Sequence, residues 1–332
     1  MKSIIRCLSM MALVALAFTS CNKNEQNEQS EQNEQKKTTF KASTEQLIVV
    51  DDDRAYIDYY NRIRFDVGDM IMLFNIDEED PLQSNCATYE ALQEGNDVEF
   101  ENCGLGEVSL ERKDVFFAFY PSGPGRTQTE LSSGQNKSRF FISPCQEYRP
   151  NMVSLNDMYM WASDNEVDNL GQAEFNFRNI FGILRLFPFE AAQRTVTEIK
   201  IVDNYFNLSG WVELIIPEFD FVEMTSLFNN YDMNNPSYVA HLEAFQNRIG
   251  YNLYDSGNSI TLNIPGGVQL GDSRSNTPAF NIVLRPLAMS QGFHIIFTFD
   301  DGSQKDIDLS DNYSLVMAPN VIRTVGLNMD AY

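Results

Sequence analysis

The 332-residue sequence holds five cysteines, two histidines and 47 acidic residues that can serve as nucleophiles, bases or ligands. Their spacing decides which chemistry is open to them. His241 and His294 stand apart from any second histidine, cysteine or acidic motif at ligand spacing, so neither a zinc site nor a histidine-based triad is predicted. Asp51-Asp52-Asp53 and Asp77-Glu78-Glu79-Asp80 carry enough carboxylates to attract calcium, but neither run has the spacing of a calcium loop, and both read as solvated turns. Gly266-Gly267-Val268-Gln269-Leu270-Gly271 lacks the lysine that a phosphate loop needs. No pair among the acids is singled out for glycoside cleavage. The sequence therefore names no catalytic residue, no metal ligand and no cofactor, and a secreted hydrolase is the least favoured class.

The one cysteine whose surroundings define a chemistry is Cys21. Upstream lie Lys2 and Arg6, the apolar run Met10–Phe18, and the small residues Thr19 and Ser20. Positive, apolar and small in that order is a secretory signal, too short to span a bilayer. Phe18-Thr19-Ser20-Cys21 resembles the lipobox of bacterial lipoproteins, in which cleavage before the cysteine leaves a thiol that carries lipid. The reading is a leader over 1–20 and a lipid-anchored tether over 21–36. Residues 24–35 repeat Asn-Glu-Gln, Asn-Glu-Gln, Ser-Glu-Gln, Asn-Glu-Gln with nothing to bury, so disorder is expected. As a flexible coil the tether reaches about 20 Å. The Asn-Lys-Asn-Glu run after Cys21 resembles the export tags of surface-exposed lipoproteins.

Formal net charge is −23, and loss of Lys2 and Arg6 with the leader makes it two units more negative. Such acidity argues against nucleic acid or anionic lipid as a partner. Cys86, Cys103 and Cys145 remain in the body, an odd number that allows at most one internal disulfide. Cys86 with Cys103 is the preferred pair, because a hairpin would bring them together.

The elements that must position these residues are nearly all strands. Phe293, Ile295, Phe297 and Phe299 alternate with His294, Ile296 and Thr298, and Asp300-Asp301-Gly302-Ser303 then supplies a hairpin turn. Similar short runs predict strands near 38–50, 69–75, 86–92, 97–101, 107–111, 114–120 and 138–143 in the first half. In the second half they fall near 174–187, 196–203, 208–216, 259–264, 279–285, 293–299, 304–309 and 315–329. Strands at this spacing suggest sandwiches. The polar stretch Ser163–Gly171 reads as a linker between domains at 37–165 and 170–332. One interval departs from the pattern: over 217–257, Asn235, Pro236 and Gly250 suit a helix start and stop, with Tyr238, Leu242, Phe245 and Ile249 on one face. A helical insertion laid on the second sandwich is expected there.

Several motifs in order carry a resemblance. They are Thr39-Phe40-Lys41-Ala42, Arg54, Phe65-Asp66-Val67-Gly68-Asp69-Met70-Ile71-Met72-Leu73-Phe74, Phe119-Tyr120-Pro121, the run from Phe175 to Leu186, and Leu208-Ser209-Gly210. Behind a lipobox, this order resembles the fimbrillin-like lipoproteins of Gram-negative anaerobes. The resemblance covers most of 38–216; residues 217–332 match less clearly. It implies two tandem transthyretin-like β-sandwich domains and a role as stalk, anchor or tip of an adhesive fimbria (pilus). It further implies other fimbrial subunits as partners, a host or bacterial surface ligand, and a place on the cell outer membrane. In such proteins a protease cuts near an arginine and removes the first strand, which opens a groove for a neighbour's strand; Arg54 is the matching position. The candidate donor strand is the end of the chain, where Val321, Val325, Leu327 and Met329 share one parity. The same run equally suits the closing strand of its own domain. A different class of function is a surface glycan-binding lipoprotein for nutrient capture, with Trp161 and Trp211 as candidate stacking faces.

The lipid assignment is open to a direct check. Cys21→Ser is expected to abolish incorporation of labelled fatty acid and to shift the protein from the membrane pellet to the soluble fraction; retained label would place the acylation elsewhere.

Overall fold

A computed structural model describes residues 39–45, 48–51, 64–76, 85–105, 108, 115–120, 127–132, 135–150, 159–164, 174–215, 252–289, 291–309 and 315–332, with six single residues between 217 and 251. The chain is all-β, and its architecture follows from where the phenylalanines point. In β1 (Thr39–Thr44), Phe40 and Ala42 are buried while Lys41 is exposed, the alternation of a strand with one face in a core. Both edges of β1 are bonded. It pairs antiparallel with β5 (Asp97–Leu105), Phe40 opposite Phe100, and parallel with β11 (Glu174–Asn179), Ala42 opposite Phe175.

Five more pairings complete a closed seven-stranded barrel. From β11 it runs through β10 (Met160–Asp164), β6 (Val115–Tyr120), β3 (Met70–Ile76) and β4 (Asn85–Ala91) back to β5. The sandwich expected over 37–165 is thus a barrel, because β1 bonds on both sides and leaves no open edge. The polar stretch at 165–171 connects β10 to β11, which are neighbours in this barrel. The barrel interior is aromatic. The ring of Phe40 lies 4.7 Å from Tyr89, 5.6 Å from Phe100 and 5.2 Å from Phe175, and Phe65 lies 5.6 Å from Phe177.

The remaining strands form a sandwich with two small companions. One layer has the order β17 (Phe280–Leu284), β12 (Gly182–Phe189), β22 (Val321–Asn328), β2 (Ile48–Asp51). The other has β20 (Gln304–Asp308), β19 (Phe293–Phe299), β13 (Thr195–Asp203), β16 (Ser259–Gln269), β9 (Cys145–Glu147). The layers are stitched by buried Gln146, whose amide donates to the Val283 carbonyl at 2.8 Å and accepts from the Val283 N–H at 2.9 Å. A four-stranded sheet joins β15 (Asn252–Gly257), β14 (Ser209–Ile215), β8 (Gln135–Ile142) and β7 (Thr127–Ser132), and β18 (Leu287–Met289) pairs with β21 (Leu315–Met317). The predicted hairpin between β19 and β20 forms, with Gly302 at φ 79° and the Asp301 carboxylate accepting from the Ser303 N–H.

The helical insertion expected over 217–257 is not supported. β15 takes 252–257. Glu223, Ser226, Leu227, Ser237, Ala240 and Ala244 are helical in backbone but delimit no helix, and Tyr238, His241, Leu242, Phe245 and Ile249 lie outside the described residues.

One ion pair fixes the turn after β12. Glu190, 1% exposed, accepts from Arg194 Nε at 2.8 Å and from the terminal guanidinium nitrogen at 2.7 Å, and the guanidinium lies 3.5 Å from the Phe299 ring centroid. These bonds hold the Glu190 carboxyl below the usual carboxylate range. A folded-state pKa below the unfolded one contributes stability above the unfolded value, and the contribution is lost as pH falls through the folded value. Glu190→Gln is therefore expected to lower unfolding free energy by about 1–3 kcal/mol at pH 7. The difference from wild type shrinks below the usual carboxylate range, as urea melts at pH 7 and pH 3 would show.

Candidate strand-exchange site

The segment between the tether and Arg54 supplies one strand to each of two sheets. Residues 39–44 are β1 and residues 48–51 are β2, so the 38–50 run that reads as one strand is two, divided at 45–47. Glu45 holds the first to the barrel: its backbone N–H donates to the Phe177 carbonyl at 2.8 Å, and its carboxylate meets Arg178 at 2.6 Å and the Asn176 amide at 2.9 Å. β2 then lies parallel along the edge of β22, with Ile48 opposite Val321 and Asp51 opposite Thr324. Three residues beyond β2 comes Arg54, which, like Cys21, lies outside the described residues.

β22 is the acceptor in this arrangement. It bonds β12 on one side, Ile183 opposite Ile322 through Phe189 opposite Asn328, and β2 on the other. Of the candidate donor residues, Val321, Leu327 and Met329 are buried and Val325 is half-buried. Met329 opens a 3-10 turn, Met329–Ala331, whose end is fastened to the body. The Asp330 carboxylate accepts from the Ala191 N–H at 2.8 Å, and Lys305 Nζ donates to the Met329 carbonyl. The 321–329 run is thus engaged within its own sheet, as an internal strand between β12 and β2. To act as a donor it would have to expose three buried apolar side chains, at about 1.5–3 kcal/mol each. Beside β22 the two layers leave a cavity of about 170 Å³ lined by Leu184, Leu186, Phe293, Ile295, Leu315 and Leu327.

The other predicted positions disperse. Cys86, Cys103 and Cys145 are all thiols, so the preferred disulfide is absent. The reason is register: in the β4–β5 ladder Tyr89 faces Asn102 and Thr88 faces Leu105, so Cys103 falls in the bulge between them with its thiol donating to the Thr88 carbonyl at 3.1 Å, and Cys86 lies two residues further along β4. Burial raises the Cys86 thiol pKa above its usual value. His294 sits on β19 with Nδ1 3.0 Å from Asp306, a cross-strand contact at the sandwich surface. Among the described residues no three His, Cys, Asp or Glu side chains converge as a metal site. Trp161 is 6% exposed and presents no free face, and Trp211 is half-buried against Phe141. Among the described residues two exposed aromatics go unmarked in the sequence, Tyr205, 67% exposed on the β13–β14 connection, and Tyr332 at the end of the chain.

No family model matches the chain, and no curated protein matches it. Among solved structures, a candidate cell adhesion protein from Bacteroides ovatus is similar at a TM-score of 0.49 and 11% identity, over 88% of this chain and 93% of that one. A candidate cell adhesion protein from Bacteroides uniformis is similar at 0.46 and 11%, over 88% and 93%. A fimbrial protein from Bacteroides ovatus is similar at 0.40 and 10%, over 88% of this chain and 49% of that one.

The seal at β1 is testable through its central aromatic. Phe40→Ala removes the ring that meets Tyr89, Phe100 and Phe175, and is expected to destabilise the fold by about 3–5 kcal/mol in urea unfolding. A loss under about 1 kcal/mol would mean that β1 is not integral to the barrel.

Proposed function

We propose that this chain is a non-enzymatic lipoprotein of the cell surface, a fimbrial subunit or tip adhesin that assembles by β-strand addition. The observation that carries the reading is the placement of residues 39–51. One short segment seals the barrel between β5 and β11 and also covers the edge of β22, and Arg54 follows it directly. A cut at Arg54 that let this segment leave would expose unpaired backbone groups on β5, β11 and β22 together with the Phe40 pocket. An extended strand from another subunit satisfies both needs at once. In this reading the chain is an acceptor, since its own 321–329 strand is engaged internally. Cys21 carries the lipid, the outer membrane is the anchor, and the partners are other fimbrial subunits. A second reading, surface glycan binding, draws on the exposure of Tyr205.

The test uses purified, unlipidated mature protein and an arginine-specific protease. Expected are release of a fragment ending near residue 54 and, once a synthetic extended donor peptide is supplied, a heat-dissociable complex on unboiled gels, both abolished by Arg54→Ala. Resistance at Arg54, or a trimmed protein that stays monomeric when supplied with a synthetic extended donor peptide, would overturn the acceptor role.

A further inference from the structure

Three connections meet at one end of the β13–β16–β19 sheet. The first, residues 204–208, joins β13 to β14; the second is the Gly257-Asn258 turn between β15 and β16; the third precedes β19 at Gly292. Their backbones are bonded to each other. The Asp203 N–H donates to the Asn258 carbonyl at 2.9 Å, the Asn204 N–H to the Gly292 carbonyl at 3.2 Å, and the Leu208 N–H to the Gly257 carbonyl at 2.7 Å. The Asp203 carboxylate, in a residue 1% exposed, turns back to accept from the N–H groups of Tyr205 and Phe206, and the Asn258 amide donates to the Asp203 carbonyl at 3.1 Å. Buried Arg285 donates to the Asn207 carbonyl at 2.7 Å from below.

This scaffold holds an aromatic ring in water. Tyr205 is 67% exposed, the most exposed of the large apolar side chains, and Phe206 meets it edge-on at 5.0 Å with an interplanar angle of 84°. Around it Asn204, Asn207, Ser256, Asn258 and Gln291 are exposed polar side chains. Asn207 and Ser256 are tied to each other at 2.7 Å. Asp203 and Arg285, the charged residues that bond to the 204–208 connection, are both turned inward, Asp203 to backbone N–H groups and Arg285 to a backbone carbonyl.

A fixed, exposed ring ringed by uncharged amides and hydroxyls matches one ligand chemistry well. A pyranose has an apolar C–H face that stacks on an aromatic ring and equatorial hydroxyls that both donate and accept, as an amide does. Holding the ring beforehand removes ordering costs that a mobile tyrosine would incur on binding. Among the described residues the three connections present no cation to an acidic sugar, and the formal charge of the chain is −23, which selects against uronic and sialic acids. We propose that the Tyr205 end is a carbohydrate-binding site for neutral polysaccharide. It rests on the surface-adhesin reading for its setting only, because the binding is a property of the uncut chain.

The experiment is native affinity electrophoresis of the uncut, unlipidated protein in gels containing galactomannan, xyloglucan or desialylated mucin. Wild type is expected to be retarded in at least one gel. Tyr205→Ala weakens that binding by about tenfold or more, while Tyr205→Phe retains it and all three proteins melt at the same temperature. Retardation unchanged in Tyr205→Ala, or lost equally in Tyr205→Phe, would overturn the stacking site. No retardation in any of the three gels would overturn the glycan inference. Neither failure touches strand addition, which is read from the protease-treated protein, and failure of strand addition leaves this binding in place.

Discussion

The structure depends on the bonding of both edges of β1. A seven-stranded sheet with one open seam would present two rows of backbone N–H and C=O groups and a phenylalanine-lined gap. β1 closes that seam with an antiparallel ladder to β5 and a parallel one to β11, and places Phe40 among Tyr89, Phe100 and Phe175. Strand and ring act together: the backbone satisfies the seam, and the side chain fills what the seam encloses.

Parallel pairings tie the distant parts of the chain. β2 with β22, β12 with β22, β1 with β11 and β9 with β16 are all parallel, and none can be made by a hairpin. β2 meets β22 across more than 270 positions of sequence. Contacts of that separation form late, because the loop-closure entropy must be met before they contribute. β2 is the edge strand of its sheet, lying beyond β22, and an edge is the position at which a strand of similar pattern can be added.

How far the sequence reveals this is set by what periodicity encodes. The β19–β20 hairpin was legible, because its alternation and its Asp-Gly turn are local signals, and both are found. So was the all-β class. The run 174–187 reads as one strand but is two, broken at Ile180 and Phe181, where the Asn320 side chain accepts from the Asn179 N–H. No local pattern announces a partner 141 residues away. Barrel closure was illegible for the same reason: alternation says that β1 has a buried face, not that both its edges are bonded. The parity of Val321, Val325 and Leu327 also misleads, since Ile322 and Thr324 are buried too. A strand between two neighbours in a covered sheet buries both faces. Tyr205 was not legible because exposure, which separates it from the buried Tyr89, Tyr120 and Tyr159, has no signature in sequence.

The seam and the Tyr205 end are built on different ladders, and this separates their chemistry. Tyr205 is held by connections of β13, β14, β16 and β19, whose mutual pairings are antiparallel and involve neither β1 nor β2. Loss of residues 39–51 would open β5, β11 and the edge of β22, yet would remove none of the bonds that Asp203, Asn258 and Arg285 make at the tip. The fastening of β22 through Lys305 and Asp330 secures the sandwich layer whose edge β2 covers. Opening of the seam, as proposed, therefore leaves in place the bonds that shape the Tyr205 end.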